Sequence, residues 1–527
     1  MTNSFADYLN TDLFFVIGSN PTEAHPMAGA KIMSSVVSGR SKLIVADPRR
    51  IELAEKADIW LQHRPGTDIP LLNGLMHIII KEDLHDKAFI EERTEGFEAL
   101  KATVETYTPA RVSEMTGVPE KLLYEAARLY ATTAKAMLCY TLGITEHICG
   151  VDNVMSTANI AMLTGHLGKE GCGVNPQRGQ NNVQGACDMG ALPGDYPGYQ
   201  KVANPEVQAK FEKAWGVKLS PKVGLMIPDM MDEAVEGKLK AMYVLGEDPV
   251  MTDPDAHHIK KAFNTMEFVV VQELFMSETA KLADVILPGA SFAEKDGTFS
   301  SSERRVQRVR KAIEPIGDTR PDWWIICEIS KRMGYAMNYA HPEQIFNEMA
   351  ALTPAYGGIN YERIEHTGLQ WPCPTLDHPG TPILHTKSFT RGKGLFKAIE
   401  HTPPAEMPDE EYPYLLSTGR ILYHYNVTTR YSSALEAHRP EEMAMLHPAD
   451  AATLGVCTGD KVRVTSRRGS LVTKVNVTDK VLTGMLWMSF HYKETPTNEL
   501  TVNAFDPVSK TGEYKVAAVR IERAAEV

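Results

Sequence analysis

The chain has 527 residues, 43% hydrophobic and 23% charged, which is long enough for about three or four domains of ordinary globular composition. Its formal charge of -12 and pI near 5.8 argue against nucleic acid or an anionic membrane as the partner of most of the surface. The most apolar run, residues 71 to 80, is about half the roughly 20 residues that a membrane-spanning helix needs, so we expect no membrane span.

The cysteines and the first residues bear on the compartment. Seven cysteines are scattered without a C-x-x-C pair, which argues against a zinc or iron–sulfur site built from local spacing. We expect them to be reduced and mostly buried, as in a cytoplasmic protein. The first residues have no basic segment and lead into an apolar run, so no targeting peptide is visible.

One sequence pattern occurs twice, with Gly18 in the first copy and Gly246 in the second, 228 positions later. The apolar runs are LFFVIGSNP, KLIVADPRR and ADIWL in the first copy, and AMYVLGEDP, FVVVQELF and ADVIL in the second. The spacing also agrees, since Asp47 and Asp58 are 11 positions apart and so are Glu273 and Asp284. Such runs are typical of buried parallel strands, and the segments between them predict crossover helices. We therefore predict two doubly wound α/β domains related by internal duplication.

In doubly wound sheets, ligands bind beyond the carboxyl ends of the strands. The residues predicted to lie there are Gly18, Asn20, Asp47, Gly246, Asp248 and Glu273. A carboxylate after the second strand is a usual partner of a ribose or a purine edge, so two copies predict two nucleotide moieties, or one site retained after duplication. The alternative is that each Gly-x-Asx-Pro only forms a turn. Neither a G-x-G-x-x-G motif nor a P-loop motif is present, which disfavours an ordinary nicotinamide site.

Residues 173 to 199 have neither helical nor strand periodicity and predict a long irregular loop. Loops of this length in compact proteins are usually functional. This one carries Arg178, Gln180, Asn181 and Asn182 among small residues, and we treat it as a candidate site.

The rest of the chain predicts a helix, a linker and a β-rich end. The segment RPDWWIICEISKRMGY has apolar residues at helical spacing, and the Pro-rich residues 401 to 414 predict a linker. Alternating valines around Gly469 predict a hairpin within a β-rich C-terminal domain. In that domain His424 is by itself more typical of a buried core histidine, and Arg420 and Lys515 could be solvated surface charges.

Segments along nearly the whole chain resemble the catalytic subunit of molybdopterin-dependent formate dehydrogenases, in the dimethyl-sulfoxide-reductase family. The matching segments are IGSNPTEAHP, IVADPRRIELA, GTDIPLLNG, the run from AMLTGHLG to GDYPGYQ, GEDPVMTDPD, ADVILPGASFAEKDGTF and LQWPC. The run RGQNNVQGACDMG is the most specific and indicates formate dehydrogenases rather than the family at large. The resemblance implies that the two α/β domains are followed by a C-terminal β-barrel of double-psi type.

The cofactor implied by this resemblance is one molybdenum or tungsten atom chelated by two pterin guanine dinucleotides. One nucleotide or pterin would be held by Gly18, Asn20, Asp47, Asp68, Leu142 and Glu146. The other would be held by Asp248, Thr252, Gln272, Glu273, Lys295 and Asp322. The barrel residues that cap both would be Arg420, His424, Asn426, Phe490, Asn498 and Lys515. Two positions depart from the family's pattern, because Glu146 replaces a glutamine and Ile421 replaces a glutamate. No residue of the chain is predicted to ligate the metal.

By the same resemblance, Arg178 is the donor that orients formate, and Gly179 and Gln180 lie beside a pterin. A guanidinium offers a planar carboxylate two parallel hydrogen bonds, each worth about 1.5 to 3 kcal/mol, whereas lysine supplies the charge without the fork. The alternative is that Arg178 pairs with a structural carboxylate. The implied reaction is the reversible two-electron oxidation of formate to carbon dioxide, with electrons leaving through a pterin toward an iron–sulfur cluster.

The predicted organisation has five parts. They are an α/β pterin-guanine-dinucleotide-binding domain at 1–180, a second α/β dinucleotide-binding domain at 181–290, a mixed connecting domain at 291–400, a linker at 401–414 and a cofactor-capping β-barrel at 415–527. Family members also have an N-terminal [4Fe-4S] domain and a cysteine or selenocysteine that ligates the metal, and we expect both upstream of this sequence. We expect selenocysteine, whose codon can be read as a stop in gene assignment, and no activity from this chain alone.

The expected partners are formate or carbon dioxide and an iron–sulfur or flavin electron-transfer subunit. Two alternatives remain at this point. One is another oxidoreductase of the family, such as a nitrate reductase or a formylmethanofuran dehydrogenase, which the RGQNN run disfavours. The other is a metal-free structural subunit of an electron-transfer complex.

Overall fold

The computed structural model describes residues 1–524, and the chain divides into two compact units. The first unit contains Met1–Gln177, Met251–His257 and the chain from Ile383 onward. The second unit contains Arg178–Val250 and His258–Pro382. The five-part division predicted above stays a prediction.

Helices occur along most of the chain and include those predicted between the strands of each repeat and within residues 320 to 335. They are Pro21–Ala24, Pro26–Val37, Asp68–Lys81, Lys87–Arg93, Phe97–Val104, Pro109–Thr116, Glu120–Thr132, Leu142–Thr145, Gly150–Leu163, Val183–Asp188, Pro205–Trp215, Ile227–Val235, Pro249–Thr252, Ala256–Thr265, Asp322–Arg332, Pro342–Leu352, Ser433–His438 and Pro448–Leu454. Within the described part of the chain, none of these helices has the length and apolar character needed to cross a membrane.

The first unit contains a five-stranded sheet in which all strands are parallel. In spatial order its strands are Ile59–Leu61, Lys42–Ala46, Leu13–Ile17, Ala136–Tyr140 and Gly173–Pro176. Alternate residues of the central strand enter two different cores, since Phe15 belongs to one and Phe14 to the other. Both faces are thus covered, which explains why these strands are continuously apolar.

The strand order of this sheet reverses beside the central strand, so the loops after Ile17 and Tyr140 meet at its carboxyl edge. The Gly143 amide donates to the Gly18 carbonyl at 3.0 Å. A Cβ on Gly143 would lie 2.6 Å from the Gly18 Cα, and Gly18 itself has a φ of +54°. Both glycines are therefore required by the close approach of the two loops.

The second unit contains a three-stranded parallel sheet with the order Val285–Pro288, Phe268–Glu273 and Ala241–Leu245. Val244, Val269 and Val271 pack in its core with Phe263 from the helix Ala256–Thr265. The smaller sheets of this unit are the antiparallel strands Gly297–Ser300, Arg305–Val309 and Leu369–Gln370, and the pair Asp195–Tyr196 and Gln200–Lys201.

The internal duplication extends to individual hydrogen bonds at matching positions. Gly18 N donates to Ala46 O at 3.0 Å, and Gly246 N donates to Gln272 O at 2.9 Å. The carboxylate of Asp58 accepts from Leu43 N at 2.8 Å, as that of Asp284 accepts from Val269 N at 2.7 Å. The equal spacing seen in the sequence thus reflects one strand arrangement built twice.

A closed six-stranded barrel follows in the first unit and confirms the predicted β-rich end. Around the barrel its strands are Tyr414–Gly419, Met485–Ser489, Met443–Leu446, Ser470–Val477, Lys461–Thr465 and Ala517–Arg523. The predicted hairpin is the antiparallel pair of Lys461–Thr465 with Ser470–Val477. Val462, Val464 and Val475 point into the barrel core, so alternation fixes which face of each strand is buried.

The first unit also contains a two-stranded parallel sheet, formed by Thr94–Glu95 and Gly394–Leu395.

The expectation of an irregular loop over residues 173 to 199 is wrong in part. Its first residues form the edge strand Gly173–Pro176, and the helix Val183–Asp188 follows. A proline is tolerated there because an edge strand pairs on one side only. Six helical residues are too few to show a periodicity in the sequence, which explains the error.

We predict that Asp58→Ala and Asp284→Ala each lower the melting temperature by about 2 to 4 °C, because each removes about 1 kcal/mol of carboxylate–amide hydrogen bonding at a strand start. Differential scanning calorimetry would measure this. Glu52→Ala, at an exposed position of the same segment as Asp58, serves as the control. If both aspartate variants melted like the control, the duplicated hydrogen bond would not be a stabilising feature.

Candidate functional site

The carboxyl edge of the first sheet carries most of the residues assigned to one nucleotide. Asn20 precedes the helix Pro21–Ala24 and its Oδ1 accepts from Thr22 Oγ1 at 3.0 Å, and Leu142 begins Leu142–Thr145. Asp47 follows the second strand, and its Oδ1 accepts from Arg49 N at 2.8 Å. Burial raises the pKa of Asp47, although Arg49 opposes the shift.

Asp68 lies at the start of helix Asp68–Lys81 in a buried chain of ionisable groups. His63 Nε2 is 3.1 Å from Asp68 Oδ1, and His147 Nε2 is 3.9 Å from Asp68 Oδ2. Beyond them, His147 Nδ1 is 3.5 Å from a carboxylate oxygen of Glu513. Burial alone would raise the pKa of Asp68, but its hydrogen bond with His63 lowers it overall. The same bond raises the pKa of His63 against the effect of burial.

Glu146 and Lys515 form a largely buried ion pair, with 2.6 Å between Lys515 Nζ and Glu146 Oε2. Lys515 also donates to the Thr418 carbonyl at 3.1 Å, and its ammonium is 5.7 Å from the centre of the Phe490 ring. The interpretation of Lys515 as a solvated surface charge is therefore wrong. The glutamate at position 146 supplies the counter-charge that an uncharged glutamine could not.

Arg420 is held inside the first unit rather than in solvent. Its Nε donates to Asn426 Oδ1 at 3.0 Å and its Nη1 donates to the Ala24 carbonyl at 2.9 Å. The arginine therefore connects the end of the first barrel strand to the helix Pro21–Ala24, which directly follows Asn20. Burial lowers the pKa of Arg420.

His424 is a buried histidine with a partner at each ring nitrogen, and its role in capping the cofactor stays a prediction. It is buried, and its Nδ1 and Nε2 lie 3.3 Å from Thr429 Oγ1 and 2.9 Å from the Arg439 carbonyl. Its ring stacks on His491 at 3.6 Å, while Glu436 is 2.8 Å from His491 Nε2. This cluster has metal-ligand residue types, but an ion in the plane of one stacked ring would lie outside the plane of the other.

Asn498 and Thr252 lie together in the first unit, although the resemblance implies that Thr252 serves the second nucleotide. Asn498 Nδ2 donates to the carbonyls of Met251 at 2.9 Å and Thr252 at 3.0 Å. The seven residues Met251–His257, which lie within the second copy of the repeat, thus belong to the first unit.

In the second unit, three of the predicted cofactor residues meet at one place. Gln272 Nε2 donates to Asp322 Oδ1 at 2.6 Å, and Lys295 Nζ pairs with Asp322 Oδ2. A cavity of about 310 Å³ lies beside Lys295 and Asp322 and is also lined by Asn182, four positions after Arg178. Cavities of this size are large enough for part of a cofactor.

The other two acidic residues of this set differ in their surroundings. Asp248 is buried, and one of its oxygens accepts from both the amide of Thr279 at 2.8 Å and its hydroxyl at 2.7 Å. Part of its hydrogen-bonding capacity is therefore used by the fold. Glu273 ends the second strand of its sheet, and its Oε1 accepts from Leu274 N at 2.6 Å.

Arg178 opens the second unit and is followed by Gly179 and the exposed Gln180. Its backbone amide donates to Ser302 Oγ at 3.1 Å, and its Nη1 donates to Cys187 Sγ at 3.2 Å. The loop is also fixed at Asn182, whose Oδ1 accepts from Ser300 N at 2.9 Å. The arginine is half-buried and held at both its backbone and its side chain.

Buried polar atoms test whether this edge of the first sheet suits a polar ligand. The hydroxyl of Ser19, directly after Gly18, and Oε1 of Gln177 are buried and make no hydrogen bond to any described residue. The same holds for Oδ1 of Asn498. Buried polar atoms normally have partners, so these residues fit a ligand rich in hydrogen-bonding groups, such as a pterin dinucleotide.

Sequence reasoning missed the partners that hold these residues. His63, His147 and Glu513 were not selected, although all three are buried. His63 could have been found, since it precedes Asp68 by five positions within the segment HRPGTD. Glu513 could not, because 366 positions separate it from His147 in the chain.

Comparison with known families gives two matches. The family described as molybdopterin oxidoreductase matches residues 1–332, and the "Molydopterin dinucleotide binding domain" matches residues 414–518. The second match coincides with the barrel, whose first strand begins at Tyr414.

Individual relatives agree with these matches. The chain is 46% identical to the F420-dependent formate dehydrogenase 2 subunit alpha of Methanococcus maripaludis, over 99% of this chain and 78% of that protein. It is 42% identical to formate dehydrogenase H of Escherichia coli, over 100% of this chain and 75% of that protein. The acetylene hydratase of Pelobacter acetylenicus has the same fold, with a TM-score of 0.77 and 21% identity over 99% of this chain and 79% of that one. The chain therefore belongs to the molybdopterin oxidoreductase family, in the group of formate dehydrogenase alpha subunits.

Proposed function

We propose that the chain is the catalytic portion of a formate dehydrogenase, which oxidises formate reversibly to carbon dioxide at a molybdenum or tungsten bis(pterin guanine dinucleotide) centre. The observation that carries the proposal is Arg178, a half-buried guanidinium held by its own loop within the RGQNNVQGACDMG run. The metal–pterin centre supplies the redox chemistry when bound, and the protein binds and orients the substrate.

The cofactor-binding roles rest on the two strand edges described above. In the first unit, Gly18, Asn20, Asp47 and Leu142 lie at one carboxyl edge, where Asp47 can accept hydrogen bonds from a guanine or a ribose. In the second unit, Gln272 and Glu273 end a strand beside Lys295 and Asp322. An ammonium such as that of Lys295 suits a phosphate or a pterin carbonyl.

Arg178 would bind the two oxygens of formate in a fork and fix the direction of its C–H bond. A guanidinium has five N–H groups, and a carboxylate binds two of them in a fork. Gln180 and Asn182 would then hold the pterin and the loop. We also propose that an iron–sulfur or flavin subunit accepts the electrons.

We predict that Arg178→Lys in the full-length subunit lowers kcat/KM for formate by at least about 100-fold, because a lysine keeps the charge and loses the paired hydrogen bonds. Formate-dependent reduction of a viologen dye would measure the rate, with metal content determined on the same samples. Arg332→Lys, at the exposed end of helix Asp322–Arg332, is the matched control.

Wild-type turnover by the Arg178→Lys variant would contradict the assigned role. A loss of activity that only follows a loss of metal would mean that Arg178 stabilises the loop instead. If the metal-loaded wild-type enzyme did not oxidise formate, the proposed substrate would be wrong and the family assignment would still hold.

The His63–Asp68 pair gives a prediction about pH. The pKa of Asp68 is lowered from 3.8, so its contribution to stability is present above pH 3.8 and is lost as pH falls through the folded pKa. The pKa of His63 is raised from 6.5, so its contribution is present below pH 6.5 and is lost as pH rises through the folded pKa. His63→Gln should therefore lower the melting temperature most between pH 3.8 and pH 6.5.

Calorimetry over a pH series would measure the difference in melting temperature between wild type and His63→Gln, expected to be several degrees at its maximum. His366→Gln, at an exposed position, should show no such dependence. A difference that stayed constant up to high pH would show that His63 stabilises the fold as a neutral ring.

A further inference from the structure

Asp188 is a buried carboxylate that the proposed reaction does not use. It ends the helix Val183–Asp188 and has no exposed surface. Its oxygens accept four hydrogen bonds, from Gln184 Nε2 at 2.8 Å, Tyr199 OH at 2.8 Å, Tyr356 OH at 2.5 Å and Trp371 Nε1 at 2.8 Å. Each oxygen thus has two donors, which satisfies a group that would otherwise be costly to bury.

These donors join two segments that are far apart in the sequence. Trp371 belongs to LQWPC, a segment that carries the resemblance but has no role so far, and it lies 183 positions from Asp188. Its ring stacks on that of Tyr356 at 6.2 Å. Asp188 is therefore the point at which LQWPC and the arginine run are connected.

The two tyrosines remain donors to Asp188. Burial, followed by the negative charge of Asp188, raises the pKa of Tyr199 and of Tyr356. Both hydroxyls therefore stay protonated over the working range of pH. Both tyrosine hydroxyls thus donate to the carboxylate, and Gln184 Nε2 also donates to the Tyr199 hydroxyl at 3.0 Å.

A short path leads from Asp188 to the substrate-binding arginine. Cys187 directly precedes Asp188, and its Sγ accepts the hydrogen bond from Arg178 Nη1 at 3.2 Å. A helix of six residues has little stability of its own, so the position of Cys187 depends on the anchored carboxylate at the helix end. The backbone of Arg178 is fixed separately through Ser302.

We propose that Asp188 is a positioning residue, which fixes the helix Val183–Asp188 and, through Cys187, the direction of the Arg178 guanidinium. The proposal rests on the proposed function, because it concerns the orientation of the group that binds formate. It gives LQWPC a role as the segment that holds this carboxylate from the other side.

The direct test is Asp188→Asn in the full-length subunit. Asparagine keeps the shape but loses the charge and places an NH2 group against two of the four donors, so those two hydrogen bonds cannot be kept as they are. We expect KM for formate to rise at least about tenfold at unchanged metal content, because the Arg178 guanidinium would no longer be aligned to donate two hydrogen bonds to formate. We also expect Cys187 to be alkylated at least about threefold faster, with Cys457 as the exposed internal reference.

Two further variants make the outcome decisive. Asp195→Asn makes the same chemical change in the same segment, where Asp195 pairs with the largely exposed Lys201, and should leave KM and the Cys187 rate within about twofold of wild type. Trp371→Phe removes one donor and keeps the carboxylate, so it should shift KM and the Cys187 rate in the same direction by smaller factors. It decides the question if Asp188→Asn does not fold.

A lower melting temperature or a lower metal content with an unchanged KM and an unchanged Cys187 rate would overturn the proposal, because a merely structural role would give that result. The alkylation rate needs no turnover. If wild type does not oxidise formate but Cys187 reacts faster in the variants, the proposed substrate fails and the positioning role remains.

Discussion

Parallel strands that are buried on both faces can present polar groups only at their ends, and the rest of this structure depends on that constraint. In the first unit the central strand contributes to two separate cores, so no side chain along it is available for chemistry. The ligand-binding candidates therefore gather at the carboxyl edge, where Gly18 and Gly143 allow two loops to approach closely. The strand hydrogen bonds of this sheet recur in the second unit, with Gly246 and Asp284 at the matching positions.

This constraint explains why much of the fold could be predicted. An apolar run bounded by Gly and Asp has one plausible form in an α/β protein, and equal spacing in two copies indicates equal register. The predicted strands of both copies, the crossover helices, the hairpin and the C-terminal barrel are confirmed. The expected burial of the strands is wrong for the second copy, where Tyr243, Phe268 and Ile286 are exposed. The resemblance to formate dehydrogenases is confirmed by relatives that match nearly the whole chain.

The partners of the site residues could not be predicted, because they come from distant parts of the chain. In the sequence Lys515 has the character of a surface charge, and only the structure shows Glu146 beside it. Likewise, only the structure shows that Trp371 donates a hydrogen bond to Asp188. A sequence shows which groups can ionise but not which of them are buried together. The short helix Val183–Asp188 was missed for a different reason, since its few small residues leave no periodic signal.

The central claim is that the chain holds two pterin guanine dinucleotides, one at each copy of the strand arrangement. The most direct test is the amount of guanine nucleotide released by acid hydrolysis of the purified complex, relative to molybdenum plus tungsten. The account predicts a ratio of about two nucleotides to one metal atom, as one nucleotide per duplicated sheet requires. Complexes that contain metal but release one nucleotide or none would contradict it.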